Sequence, residues 1–444
     1  MTGRSRPQKL AIWMNGFLVG HWSQVRGKDQ LAYHEDWVNS ESGRPLSLSL
    51  PFTPGNQPLG GDIVRFWFDN LLPDSDAIRN RLAFRHKARS VAAFDLLTAI
   101  GRDCVGAFQL LPPDEIPDSL FFITGQVLDE GAVADILRGV PGSKVLGHRE
   151  EDFDLRLSIA GAQEKTALLR HQGQWMLPHA STPTTHIFKL PLGLVGAMQA
   201  DMRTSVENEW LCAQLAAGWG LPVAPCEIVH FEDQKALIVT RFDRKLASDN
   251  TWIARLPQED FCQATGTPGT KKYQSDGGPG ISRIMEILGS SIEPQQDKEL
   301  FFKSQILFWL LAATDGHAKN FSLFHLPGKR FRLTPLYDIL SAHPVIGTGR
   351  NQIAPQKAKL AMAVKGSKYY YLIQQIRRRH WISHATQTGL TGKQAEAIME
   401  ELIQTTPAVI AAVANTLPKG FPENLAAAIF SGIHAQCAAL NMGD

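Results

Sequence analysis

The stretch TDGHAKN, residues 314–320, closes the apolar run FFKSQILFWLLAA with an acid, an imidazole, an amine and an amide. A helix that only packs needs no more than a Gly or Asn to stop it. Asp315 and Asn320 stand in the pattern D-x-x-x-x-N. In a kinase catalytic loop the acid of that pattern takes a hydroxyl proton and the amide oxygen holds magnesium. The same chemistry needs a second metal acid, a cation on the nucleotide phosphates and a small-residue loop whose N–H groups cover them. Asp338, in LYDIL, is the candidate second acid. Ala160, Gly161 and Ala162, in SIAGAQEK, are the candidate cover. Lys189 lies inside the apolar strand HIFKL, where its charge needs a partner and a phosphate would serve. The order of these parts is that of a two-lobed kinase.

Each part also admits a plainer reading. Asp338 could be a turn acid, and Lys189 could snorkel from a strand edge. The loop has one glycine and matches neither G-x-G-x-x-G nor G-x-x-x-x-G-K-[ST]. His317 could simply make a local loop hydrogen bond.

The elements that would carry these residues are legible in outline. KLAIWMNGFLVGHWSQ alternates on both sides of Asn15-Gly16, a hairpin signal. RPLSLSLPF is a further period-two segment. Helical periodicity follows in DIVRFWFDNLLPDSDAIRNRLAFRH and VAAFDLLTAIGRDCVGAFQLL, and Pro112-Pro113 mark a boundary. From about residue 151 strand signals resume, with one amphipathic helix, SVENEWLCAQLAAGWG, for which Ser205 is the predicted N-cap. Beyond LPQEDFCQ the chain reads as mostly helical. The expected organisation is an N-terminal α+β domain over 1–112, a linker with a short helix over 113–150, a strand-rich lobe over 151–256 and a helical lobe over 257–444. The fold class is α+β, a two-lobed protein-kinase-like core preceded by a small α+β domain.

With 444 residues, 44% of them hydrophobic and 20% charged, the chain can build two or three cores. A formal net charge of +2 gives no bulk attraction to nucleic acid or membrane. The five cysteines, Cys104, Cys212, Cys226, Cys262 and Cys437, form no CxxC pair, so neither a disulfide framework nor a zinc site is expected. The basic N-terminal stretch lacks the apolar core of a signal peptide. The run from Ile306 to Ala313 is too short to span a bilayer. The expected location is the cytoplasm.

LSIAGAQEKTALL, TPTTHIFKLP, ATDGHAKNFS, TPLYDI and SDGGPGI, with RPLSLSLP, FWFDNLLPDS and FDLLTAIGRDCVGA further forward, resemble the HipA family nearly end to end. These are bacterial serine/threonine kinases that act as toxins of toxin–antitoxin pairs. The resemblance implies Asp315 as the catalytic acid, with Asn320 and Asp338 holding magnesium against ATP. It implies that Lys189 pairs with the phosphates and that Ala160, Gly161, Ala162, Gln163, Glu164 and Lys165 cover them. Thr240, Arg241 and Phe242 would be the hinge that meets adenine through backbone groups, although Thr240 stands where an acid is expected. His317, Lys319 and Tyr337 would line the same pocket. Ser158 matches the family's autophosphorylated serine; a phosphate there would add nearly two negative charges beside the loop and repel it. The implied partners are a HipB-like helix-turn-helix antitoxin, a protein substrate, glutamyl-tRNA synthetase, and operator DNA reached mainly through the antitoxin. Arg377, Arg378, Arg379 and His380 could touch DNA phosphates or form a solvated helix face. A small-molecule kinase and a catalytically weak co-repressor are the rival readings.

Overall fold

The computed structural model describes residues 9–141, 157–160, 163–196 and 199–442, with Leu157 and Ser158 described by their backbone alone. Gly161, Ala162 and the side chain of Ser158 therefore lie outside the described residues. The chain forms two compact units: Met1–Leu190 with Val229–Thr270 and Leu323–Phe331, and Pro191–Ile228 with Lys271–Ser322 and Arg332–Asp444.

The first unit opens with the hairpin that the alternation predicts. Lys9–Met14 pairs antiparallel with Phe17–Val25, and Asn15 and Gly16 between them both take positive φ, 46° and 88°. That geometry matches the right-handed twist of the strands. Lys28–Tyr33, Leu59–Gly60 and Phe108–Leu111 complete a five-stranded antiparallel sheet. The helices Asp62–Asp69 and Ala93–Ile100 supply Trp67, Phe68 and Phe94 to its core, where Trp22 stacks on Phe68 with ring centroids 3.9 Å apart. RPLSLSLPF is not a strand. Only an isolated bridge joins Ser47 to Leu50. The hydroxyls of Ser47 and Ser49 instead bond to each other and to the carbonyl of Gln263, so the alternation reflects serines that serve a loop.

A second sheet of six strands runs in the order Cys226–Phe231, Gln234–Thr240, His186–Lys189, Lys165–His171, Gln174–Pro178 and Gly125–Leu128. The helix Glu130–Gly139, capped by the Asp129 side chain, lays Val133, Ala134 and Leu137 against it.

The second unit is mostly helical, with two small two-stranded sheets, Gly193–Val195 with Ala200–Met202 and Lys359–Lys365 with Tyr369–Leu372. Pro294–Leu310 is buried along most of its last three turns, from Phe301 to Leu310, and packs against Ile281–Leu288, Gly392–Ala414 and Glu423–Asn441. A helix apolar on every face belongs in such an interior. Gly392–Ala414 is long and apolar enough by composition to cross a membrane. Its buried residues Ala395, Ile398, Met399, Leu402, Thr406, Val409, Ile410 and Val413 nevertheless follow the spacing of a helix with one packed face. The predicted cap at Ser205 is displaced: Thr204 precedes the helix Ser205–Gly218 without a side-chain cap, and the Ser205 hydroxyl accepts the N–H of Leu192.

Candidate active site

In the second unit the chain leaves the buried helix through Ala312, whose φ of 47° turns it sharply. Across residues 311–320 Asp315 alone is exposed, and its neighbours from Gly316 to Asn320 are buried. A Cβ on Gly316 would run into the Phe308 ring, so only glycine lets the loop return so close to the helix it has left. The loop is closed by its own backbone. The His317 N–H donates to the Asp315 carbonyl at 2.8 Å, and the Asn320 N–H to the His317 carbonyl at 2.9 Å. The Asn320 side-chain amide nitrogen donates to the same Asp315 carbonyl at 2.9 Å. A carbonyl can only accept, so the nitrogen must be the inner end of that amide and the oxygen the outer one.

The carboxylate of Asp315 accepts from the Tyr273 hydroxyl. His317 Nε2 stands 3.9 Å from the same oxygen, and the Tyr273 and His317 rings meet edge to face. The Ala318 N–H donates to the Lys272 carbonyl, which fastens the Lys272–Tyr273 segment to the loop. Tyr273 is a candidate site residue that the sequence did not single out; it lies just before SDGGPGI, in TPGTKKYQSDGGPG, a stretch that breaks the helical pattern.

Asp338 has φ 59°, a left-handed conformation that Asp tolerates better than most residues. The backbone before it is pinned by Leu336, which donates to Pro222 and accepts from Ala224, each at 2.8 Å. After it, the Ser341 backbone exchanges two hydrogen bonds with the Asn208 side chain, both 2.8 Å, while its hydroxyl donates to the Leu311 carbonyl at 2.6 Å. Ser341 thereby ties the Asp338 segment to the end of the helix that delivers Asp315, and Asn208 ties it to the helix Ser205–Gly218. Tyr337 donates to the Lys319 carbonyl at 2.9 Å and shares a bond with Ser322.

In the first unit Lys189 is buried and stands opposite Lys165 in the ladder. The Lys165 ammonium donates to the Ala160 carbonyl at 2.9 Å, and the Gln163 amide to that of Leu190. Glu164 accepts from Arg81. Both ends of the loop are thus tied to its flanking strands. Thr240 ends its strand opposite His186, and the next residue, Arg241, donates its N–H to the Thr185 carbonyl at 2.9 Å. The Arg241 guanidinium turns into a buried ionic cluster, and its N–H is engaged by Thr185, so of its groups the backbone carbonyl is left for a hinge role.

Among the described residues no three His, Cys, Asp or Glu side chains converge as a metal site. Magnesium is held by few protein oxygens and otherwise by phosphate and water. A turned-out amide oxygen at Asn320 with a carboxylate at Asp338 fits that demand. Of the basic run, Arg378 pairs with Glu400 at 2.6 Å and Arg377 donates to the carbonyls of Gln374 and Ile376.

The family model for the HipA N-terminal domain matches residues 10–111, and that for the HipA-like C-terminal domain matches residues 157–410. A Sinorhizobium fredii protein named putative kinase Y4mE is 36% identical over 337 residues, covering 75% of this chain and 77% of its own. The serine/threonine-protein kinase toxin HipA of Shewanella oneidensis is 27% identical over 357 residues, 75% of each chain. A chain in the structure of the Shewanella oneidensis HipA, HipB and operator DNA complex superposes with a TM-score of 0.78 over 97% of both chains, at 23% identity, and so shares the two-lobed fold.

Proposed function

The chain belongs to the HipA family, and from that premise we propose that it is a serine/threonine protein kinase that transfers the γ-phosphoryl group of ATP to a serine of a translation protein, glutamyl-tRNA synthetase, and to its own Ser158. A HipB-like helix-turn-helix antitoxin would hold it in check and carry it to operator DNA. Growth arrest would follow from release.

The observation that carries this reading is the exposure of Asp315 in an otherwise buried loop, with its carboxylate steadied by Tyr273 and its backbone clasped by Asn320. The Tyr273 bond occupies one carboxylate oxygen and leaves the other to accept the proton of the substrate hydroxyl. The serine oxygen then bonds to the γ-phosphorus, the bond from phosphorus to the β,γ-bridging oxygen breaks, and ADP leaves with that electron pair. Asn320 and Asp338 would hold magnesium, which neutralises charge on the phosphates when bound. Lys189 and Lys165 face each other across one ladder. Like charges so placed repel, and a phosphate beside them offsets that repulsion.

The test is phosphate transfer from γ-labelled ATP to purified glutamyl-tRNA synthetase by wild type and Asp315→Gln. Transfer should fall on the order of a hundredfold or more in the variant, the contribution of a positioned general base. ATP binding should persist. If wild type neither transfers phosphate nor binds ATP, the chain acts through its antitoxin alone.

A further inference from the structure

In the first unit a buried ionic cluster joins the N-terminal sheet domain to the strand-rich part. Asp103 and Cys104 form a two-residue strand that pairs in parallel with Leu157–Ser158, the strand that leads into the loop. The Asp103 carboxylate accepts from the N–H and hydroxyl of Thr184, at 3.0 and 2.7 Å, and from Arg244 at 2.9 Å. Arg255 and Arg241 lie 3.3 and 3.5 Å from it. Arg241 also donates to the Thr184 hydroxyl and to the Cys104 carbonyl, both at 2.9 Å, and makes a two-pronged pair with Asp243 at 3.0 and 2.9 Å. Asp243 in turn accepts the Gly106 N–H at 2.7 Å.

Arg241 is the middle residue of the proposed hinge, and its backbone N–H rests on Thr185, the neighbour of Thr184. One carboxylate from the N-terminal domain thus fixes both the hinge side chain and the strand end on which the hinge backbone leans. We infer that Asp103 is a positioning residue for adenine recognition, acting through Arg241 and Thr184, so that the N-terminal domain helps to set nucleotide affinity. This rests on the kinase reading above. Burial would raise the Asp103 carboxyl, but Arg244, Arg241 and Arg255 outweigh it and hold the group well below the usual carboxylate range. It stays charged at any pH used for assay.

The experiment compares binding of ATP and of inorganic tripolyphosphate, which has no adenine, to the full chain by calorimetry. The variants are Asp103→Asn, Thr184→Val and a control in the same domain, Asp29→Asn, which weakens the bond from the Trp22 indole without touching the cluster. Loss of one aligned hydrogen bond at the hinge should weaken ATP about tenfold for Asp103→Asn and Thr184→Val, with tripolyphosphate unchanged within about twofold. The KM for ATP should rise while kcat holds. Asp29→Asn should move neither ligand. If Asp103→Asn does not fold, Thr184→Val, which keeps every charge, decides alone. Equal weakening of both ligands, unchanged ATP binding, or the same selectivity in Asp29→Asn overturns the inference. A wild type that binds neither ligand overturns the kinase reading itself.

Discussion

Two charged regions of this protein are built on opposite terms. The loop around Asp315 puts one carboxylate in water, 63% exposed, above a buried ring of backbone bonds. The cluster around Asp103 takes two carboxylates and three guanidiniums out of water, with no guanidinium more than 2% exposed. In the first, the carboxylate is left accessible, as the proposed proton acceptor must be. In the second, each charge is matched by opposite charges and carbonyls, as burial demands. The proposed function sits where losing a side chain should cost little stability, and the buried cluster where losing one should cost much.

The sharpest way to break that contrast is to exchange the costs. Asp243→Asn leaves three buried guanidiniums facing one carboxylate. It should lower unfolding free energy by about 3–5 kcal/mol, the usual result of stranding a buried charge. Urea denaturation would read this, and a loss below about 1 kcal/mol, the size of an exposed ion pair, would mean that the cluster is not held together by its charges. Asp315→Gln should behave in the reverse way. The fall in turnover predicted above, about a hundredfold, should come with a stability change within about 0.5 kcal/mol, the range for exposed substitutions. A large drop in its urea midpoint would make Asp315 structural.

The same contrast explains what the sequence could reveal. Asp315, Asn320, Asp338 and Lys189 stand out because polar groups interrupt apolar runs at spacings that chemistry requires. Asp103, Thr184, Asp243, Arg244 and Arg255 are each ordinary in their own segments, and their partners lie up to 152 residues away. Only the folded chain shows that they form one group. Tyr273, Asn208 and Ser341 were hidden for the same reason: their bonds go to residues of other segments. Hairpin and helix signals are local and were readable. The segment RPLSLSLPF shows the limit, because its alternation is real but its serines bond to each other and to Gln263 rather than to a partner strand.

A titratable group inside the second unit sharpens the comparison from the side of pH. His384 is buried, with Nδ1 accepting the Lys365 N–H at 3.0 Å and Nε2 bonded to the Ser282 hydroxyl. Burial, aided by the Lys365 charge, brings its pKa down to about 4. The unfolded chain therefore takes up a proton near pH 6.5 that the folded chain refuses. The stability from this neutral imidazole is complete above the unfolded pKa and declines as pH falls toward 4. Between pH 7 and pH 5 the loss should be about 2 kcal/mol. Urea midpoints at the two pH values, compared between wild type and His384→Asn, would show it as a slope steeper in wild type than in the variant, which keeps the likewise depressed His21 and His186. An equal slope in both would place the acid sensitivity elsewhere.

The smallest effect tests the charge count of the cluster. Three guanidiniums against two carboxylates leave one excess positive charge, so removing an arginine should cost less than removing an acid. Arg255→Met keeps the aliphatic volume and leaves two Arg facing two Asp. Asp103 retains Arg244, Arg241 and both bonds from Thr184. The Ser181 carbonyl loses the donor that reaches it at 2.9 Å, while the backbone pairing of residue 255 with Asn15 remains. One unpaired carbonyl and one weakened ion contact together should cost about 1–2 kcal/mol, well under half of the Asp243→Asn loss. Parallel urea titrations of the two variants give the ratio directly. If Arg255→Met proves as costly as Asp243→Asn, the cluster is held by the geometry of its individual donors rather than by its balance of charge.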